Sequence, residues 1–280
     1  MIKLGSHVQF KAPDYLLSAA KDSIDYGANT MMIYVGPPQS TKRVAKEKFN
    51  VEKYNEMYAD KIKNQDIIVH APYIINMASV EKGKFASDFL IEEIKRVAYI
   101  GAKYIVLHPG AHTKFDINLS IETLIQNLIF VLEQTKDLDV IICLETMAGK
   151  GTEIFTNFEQ MKYILEKCNS DRIQLCLDTC HIWDAGYNVK NYDEFKILLQ
   201  KYDLQKYVKV IHLNDSKNDI NSHKDRHANI GEGYIGLKTL ATFVHDKDWD
   251  NIPIILETPW TEQGPIYKKE IQELLNSKNQ

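Results

Sequence analysis

The sequence predicts an α/β protein folded as one closed (β/α)8 TIM barrel, with residues 1–280 forming a single domain. Three observations predict it: eight short apolar, β-branched runs, helical periodicity between them, and no Pro/Ser-rich joint that would divide the chain. Strands covered on both faces read as near-continuous apolar runs, and joining parallel strands takes helical crossovers. A chain of 280 residues with 44% hydrophobic and 26% charged residues suits one large core.

The eight runs are Lys3 to Val8, Thr30 to Val35, Asp66 to His70, Lys103 to His108, Val140 to Glu145, Ile173 to Asp178, Val208 to Leu213 and Pro253 to Glu257. Between them, segments such as Ala12 to Tyr26, Ser87 to Ile100, Ile117 to Glu133 and Glu159 to Cys168 return apolar residues every three or four positions, the stripe a helix buries. An open doubly wound sheet would carry a Gly-rich phosphate loop after its first strand, and Gly5-Ser6-His7-Val8 is not one. The tail from Asn276 to Gln280 reads as a frayed terminus. No apolar stretch follows a basic N-terminal segment and no run of ~18 apolar residues occurs, so a cytoplasmic protein with no membrane partner is expected. The four cysteines form no CxxC pair and are read as reduced. Cys143 and Cys176 stand two residues before Glu145 and Asp178, which places them one layer lower on the same inward face.

The chemistry is expected at one rim. Six of the eight runs carry a side chain able to bind a metal at the last or, for His212, the penultimate position: His70, His108, Glu145, Asp178, His212 and Glu257. All strands of a parallel barrel point their C-terminal ends to the same mouth, so these six would converge. His181, Asp225 and His227 lie just beyond strand ends and extend the set to five histidines and four carboxylates. One histidine at a strand end is more often a hydrogen-bonded structural residue, but nine ionisable groups in one mouth repel and resist desolvation unless cations compensate them. Imidazole and carboxylate donors suit zinc or manganese, and nine of them would serve two or three ions. Clustered divalent ions suit phosphodiester hydrolysis. Two other readings stay open on the residues alone: a metal-dependent sugar isomerase or epimerase, which needs one or two ions, and a binding protein without catalysis.

The run Leu177-Asp178-Thr179-Cys180-His181-Ile182-Trp183-Asp184-Ala185-Gly186-Tyr187 resembles the endonuclease IV signature LDTCHxxxAGY. His212-Leu213-Asn214-Asp215-Ser216-Lys217, Asp225-Arg226-His227 and Ile230-Gly231-Glu232-Gly233-Tyr234-Ile235-Gly236 resemble further motifs of that family, as do His70-Ala71-Pro72-Tyr73, His108-Pro109-Gly110-Ala111-His112, Leu144-Glu145-Thr146 and Leu256-Glu257-Thr258. The resemblance implies a cluster of three zinc ions, with manganese an alternative at one position. His70, His108 and Glu145 would hold one ion, Glu145, Asp178, His212 and Glu257 a second, and His181, Asp225 and His227 a third. Three divalent ions would turn the formal charge of −4 into +2.

The resemblance further implies a DNA repair enzyme that hydrolyses the phosphodiester 5′ to abasic sites, leaving a 3′-hydroxyl and a 5′-deoxyribose phosphate, and that also cleans 3′ ends. Glu145, Asp178 and Glu257 would be the catalytic carboxylates, Glu145 bridging two ions and Glu257 orienting or deprotonating the attacking hydroxide. The partner would be double-stranded DNA, met by a monomer. Tyr73 and Ile74 would wedge into the duplex, with Gln39, Lys42, Arg43, Asn76 and Arg226 as further contacts and Lys150 and Lys217 as candidates for phosphate. His7 and His112 would orient ligands or phosphate from behind, while His223 and His245 are read as surface residues. Two departures from the family pattern, Asn221-Ser222 in place of Gly-Ser and Asn188 in place of Asp, put loop conformation in question rather than metal binding.

Overall fold

The computed structural model describes residues 1–277. Its strands are β1 (Lys3–His7), β2 (Thr30–Ile33), β3 (Ile67–His70), β4 (Tyr104–Leu107), β5 (Ile141–Glu145), β6 (Ile173–Asp178), β7 (Val208–His212), β8 (Asp215–Ser216), β9 (His227–Ala228) and β10 (Pro253–Leu256). Its α-helices are α1 (Leu16–Asp25), α2 (Val51–Met57), α3 (Gly83–Ile100), α4 (Ile117–Gln134), α5 (Phe158–Cys168), α6 (Thr179–Asp184), α7 (Tyr192–Lys201), α8 (Leu237–His245) and α9 (Tyr267–Asn276). Strands β1 to β7 and β10 pair in parallel and close, β10 lying between β7 and β1. The β8–β9 pair is a separate antiparallel ribbon in the loop after β7. With two residues per strand it is too short for any periodicity to announce it. Among the described residues no helix is long and apolar enough to cross a membrane.

The alternation of side chains along each strand builds the barrel in layers. Met32, Ile68, Val106, Cys143, Cys176, Val210 and Ile255, one from each of seven strands, pack on one another inside the barrel. Their sequence neighbours, such as Met31, Val69, Ile105, Leu144 and Leu177, face the helices in a second, larger cluster. On the remaining strand the register partner of Ile255 is Gly5, where a Cβ would fall 1.9 Å from the Thr30 carbonyl oxygen. Glycine there lets β1 and β2 approach closely enough to shut the barrel. Two residues beyond this layer, the inward positions are His7, Tyr34, His70, His108, Glu145, Asp178, His212 and Glu257. An apolar floor therefore lies beneath a ring with no aliphatic member.

Several boundaries differ from those the sequence suggests. β4 stops at Leu107 and β10 at Leu256, so His108 and Glu257 stand one residue past their strands. Val8 and Leu213 lie outside β1 and β7, though each still donates its N–H to the neighbouring strand, at Met32 and Ile255. α1 begins at Leu16 rather than Ala12, after a loop in which Tyr15 is left-handed with φ 47°. The expected frayed tail is partly helix, since Asn276 ends α9; residues 278–280 of that expectation lie outside the described residues.

The loop after β2 is pinned to α3 by charge. Arg43 Nε and Nη2 donate to the two oxygens of Glu93 at 2.8 and 3.1 Å, and Nη1 donates to the Ser40 and Lys42 carbonyls. The side chains are only 6% and 1% exposed. Removing one partner of such a pair strands the other charge away from water. Glu93→Ala is therefore expected to lower unfolding free energy by about 3 kcal/mol, read as a shifted urea midpoint with an unchanged slope; a shift within error would show that the pair does not hold this loop.

Candidate metal centre

Glu145 and Asp178 sit at the bottom of the mouth with relative exposures of 1% and 0%. Glu145 Oε2 lies 3.1 Å from both His70 Nε2 and His108 Nε2, and its Oε1 lies 3.1 Å from His212 Nδ1. Glu257 Oε2 approaches the same His212 nitrogen at 3.0 Å. Farther along the mouth, Asp225 Oδ1 is 3.0 Å from His181 Nε2 and 3.5 Å from His227 Nε2. Each of three groups, His70 with His108 and Glu145, Glu145 with Asp178, His212 and Glu257, and Asp178 with His181 and His227, offers donor atoms that all lie within 4.8 Å of one another. Asp178 thus joins the histidines of the third group, to which Asp225 is the closer carboxylate. Donors of one tetrahedral zinc at 2.0–2.1 Å lie roughly 3.3 Å apart, so the spacing suits a shared cation as well as it suits hydrogen bonds.

The ring orientations point the same way. Nδ1–H of His70, His181 and His227 donates to the carbonyls of Ala71, Thr146 and Glu257 at 2.7, 2.7 and 3.2 Å, which fixes the ring orientation and makes Nε2 the nitrogen that faces the cluster. His227 Nε2 is buried with no hydrogen-bond partner among the described residues. That orphaned nitrogen, 3.9 Å from Asp178 Oδ2, is a donor the protein alone does not satisfy.

Without cations, protons must balance the cluster. Burial works to raise Glu145's pKa, but the rings of His212 and His108 outweigh it and hold the carboxyl well below its usual range. Asp178 goes the other way, raised by burial. Burial works against a charged His181, yet Asp178 and Asp225 keep it protonated well above the ordinary value. Burial also works against a charged His212, but the Cys176 sulfur beneath it, then Glu257 and Glu145, raise it well above the ordinary value; burial pushes the Cys176 thiol itself up to about 12. The raised imidazoles, His108, His181 and His212, thus carry positive charge that divalent ions would otherwise bring.

Residues that the sequence reading passed over support this ring. The Asn214 side chain donates through Nδ2 to Asp178 Oδ2 at 2.8 Å and to Glu257 Oε2 at 3.3 Å, and its Oδ1 accepts the Glu257 N–H at 2.8 Å. Thr146 Oγ1 accepts the Asp178 N–H. Tyr34, the inward residue above Met32, packs its ring 4.9 Å from that of His70. The two-residue period that located the ligands would also have located Tyr34. The buried Asp215 carboxylate gathers backbone N–H groups of Gly231, Gly233, Ile235 and Gly236, and a Cβ on Gly233 would fall 2.4 Å from its Oδ1.

Both departures from the family pattern fit their loops. Asn221 is left-handed at φ 64°, where glycine is easiest and asparagine tolerated, and His223 and Asp225 follow at φ 54° each. A non-glycine residue there costs ~1 kcal/mol. Asn188 is exposed, its side chain accepting the Lys190 N–H.

Above the ligands lies a cleft of about 300 Å³ that includes His108, Lys150, Asp225 and Glu257. A larger one, about 920 Å³, opens beside it between the loops after β1 and β2, with His7, Tyr34, Gln39 and Lys42 in its wall and Tyr73 common to both. Tyr73 is 52% exposed, its ring 5.6 Å from that of His108. Ile74, the next residue, is half-buried and lines a separate cleft with Asn76 and Phe85 rather than either of these two. Gln39, Lys42 and Lys217 are exposed, as is Arg226, whose guanidinium has no hydrogen bond or ion pair among the described residues. Lys150 Nζ stands 3.9 Å from Asp225 Oδ2.

Other expected contacts are committed elsewhere. Arg43 holds Glu93, and the Asn76 amide joins the loops after β3 and β4, accepting the N–H of Ala78 and of Ala111 and donating to the Ala111 carbonyl. His112 Nδ1 meets the Phe115 carbonyl at 2.9 Å rather than a ligand. His7 lies edge-on to Tyr34, and burial lowers its pKa to about 4. His223 is exposed as expected, though Nδ1 ties it to the Ala148 carbonyl; His245 is half-buried against the Leu274 carbonyl rather than free on the surface.

The profile of a family described as a xylose isomerase-like TIM barrel matches residues 20–277. A protein named probable endonuclease 4, from Mycoplasmopsis synoviae (strain 53), is 63% identical over 278 residues, covering 99% of this chain and 100% of its own. Among solved structures, endonuclease IV from Thermus thermophilus matches with a TM-score of 0.85 at 23% identity, over 99% of this chain and 100% of that one. A D-tagatose 3-epimerase-like protein matches with a TM-score of 0.73 at 19% identity, over 98% and 97%. The barrel is thus common to proteins with different chemical names, and the full-length sequence identity decides between them. By that criterion the chain belongs to the endonuclease IV family.

Proposed function

We propose that this protein is a DNA repair endonuclease that hydrolyses the phosphodiester bond 5′ to abasic sites in double-stranded DNA, leaving a 3′-hydroxyl and a 5′-deoxyribose phosphate, and that the same centre clears blocked 3′ ends. The observation that carries the reading is the convergence of nine histidine and carboxylate side chains at one mouth, with Glu145 and Asp178 each common to two of the donor groups. Three zinc ions would be held there, by His70, His108 and Glu145, by Glu145, Asp178, His212 and Glu257, and by His181, Asp225 and His227, with manganese an alternative at one position. Bound divalent ions supply Lewis acidity toward phosphate oxygens and lower the pKa of bound water toward ~7.

The side chains divide the remaining work. Glu145, 1% exposed, holds His70, His108 and His212 in register. Glu257 has a 16% exposed side chain and a main chain fixed by Asn214, which suits it to orient the attacking water and take its proton. Lys150 lines the mouth with a cationic end for backbone phosphate, and the exposed Arg226, between Asp225 and His227 in the chain, offers a second. Tyr73 stands over the ligands as the wedge, with Ile74 next to it in the chain. Unstacking costs a few kcal/mol and least where a base is already missing, so insertion selects damage rather than sequence. Gln39 and Lys42 come from the loop that Arg43 and Glu93 hold in place. A sugar epimerase reading, invited by the common fold, leaves the His181, Asp225 and His227 group without a role.

Glu257→Gln is expected to bind a duplex carrying a tetrahydrofuran abasic analogue as the parent does while nicking it slower by roughly 10²-fold or more; parental nicking would remove Glu257 from the chemistry. Elemental analysis is expected to give about three zinc ions per chain, and prolonged chelation to abolish nicking until zinc returns. A count near one would favour the epimerase reading. In the metal-free chain His181 and His212 have raised folded pKa values, so their stabilisation is complete below ~6.5 and is lost as pH rises through those values. The melting temperature of the metal-free chain is accordingly expected to fall between neutral and alkaline pH, and zinc to reverse the trend; a metal-free chain that gains stability over that interval would contradict this charge balance.

A further inference from the structure

Helix α6 carries His181 near its start, and at its end a carboxylate that belongs to none of the donor groups. Asp184 is fully buried. Its Oδ1 accepts the Ser216 hydroxyl at 2.7 Å and its Oδ2 accepts the backbone N–H of Asp225 at 2.8 Å. The Asp184 carbonyl accepts the N–H of His223 at 3.0 Å, and the carbonyl of Trp183 accepts that of Asn221 at 3.1 Å. Three alternate N–H groups of one loop therefore end on two consecutive residues of the helix. Those same three residues, Asn221, His223 and Asp225, are the left-handed ones, and none is glycine. Strained backbone of this kind persists only where its surroundings over-determine it, and here the surroundings are the end of α6.

We propose that Asp184 is a positioning residue for the metal site formed by His181, Asp225 and His227. It anchors the Asp225 peptide to the helix that carries His181, one turn earlier, so that a single turn sets both members of the 3.0 Å contact between His181 Nε2 and Asp225 Oδ1. Ser216 takes up the other oxygen and lies in β8, directly paired with His227 in β9. The inference rests on the reading above only in requiring a cation at this group.

The test uses zinc alone, on the full chain and on the variants D184A, D184N and S216A, each equilibrated at matched free zinc and analysed for metal. The parent is expected to hold three ions and D184A two, with the free zinc needed to fill the third raised at least tenfold. Asparagine can turn its carbonyl oxygen to the Asp225 N–H and its amide to Ser216 Oγ, so D184N is expected to hold three, as is S216A. A general loss of structure would not produce this split, since it would release all three ions together. Should D184A fail to fold, amide exchange in the zinc-free parent decides: the Asp225 N–H is expected to be protected, and free exchange there overturns the proposal. A parent holding fewer than three zinc ions would overturn the metal reading and the inference with it, whereas three ions in both parent and D184A at the same free zinc overturns the inference alone.

Discussion

Two carboxylates buried side by side at the mouth of a barrel, Glu145 and Asp178, are the condition to which the surrounding structure answers. Neither has water to solvate it, and a buried anion without compensation would unfold the region or take up a proton. Five imidazoles converge on them from other strands and loops, and the tautomers of three are set by backbone carbonyls on the outer side. The carbonyls require the loops to hold still, and the loops are held by hydrogen bonds to the buried side chains of Asn214, Thr146, Asp215 and Asp184. Removing the need to neutralise the two anions would leave most of these polar side chains without a purpose.

Much of this was legible in the sequence because a parallel barrel translates chain position into spatial position. Strand ends located the mouth and its ligands, and a residue two before an inward residue is also inward, so Glu145 and Asp178 located Cys143 and Cys176 in the layer beneath. The helices and the eight strands follow for the same reason. The rule fails where the strand does. Nothing periodic distinguishes the β8–β9 ribbon, and the left-handed run Asn221, His223, Asp225 is imposed by α6 rather than by its own residue types. Tyr34 was within reach of the rule but is a poor metal ligand, so a search for ligands passes over it.

Basic and amide side chains on the rim are the other place where sequence misleads. Lys42 and Arg43 are adjacent and look alike on paper, yet one is exposed and the other lies buried on Glu93. Asn76 occupies a motif that suggests contact with a partner, and its amide is used to join two loops of its own chain. Such choices depend on which buried acceptors lie within reach after folding, and Glu93 is fifty residues away from Arg43 in the chain.

The apolar floor under the ring has its own chemical effect. Cys143 and Cys176 lie two residues beneath two of the proposed ligands, and a thiolate there would be a softer, stronger donor for zinc than any imidazole above it. Burial pushes both thiols up, Cys176 to about 12, so at neutral pH both stay protonated and neither acts as a nucleophile. The hydrocarbon packing of the interior thereby adds no further anion beneath the two buried carboxylates, and the donors turned toward the mouth are nitrogen and oxygen.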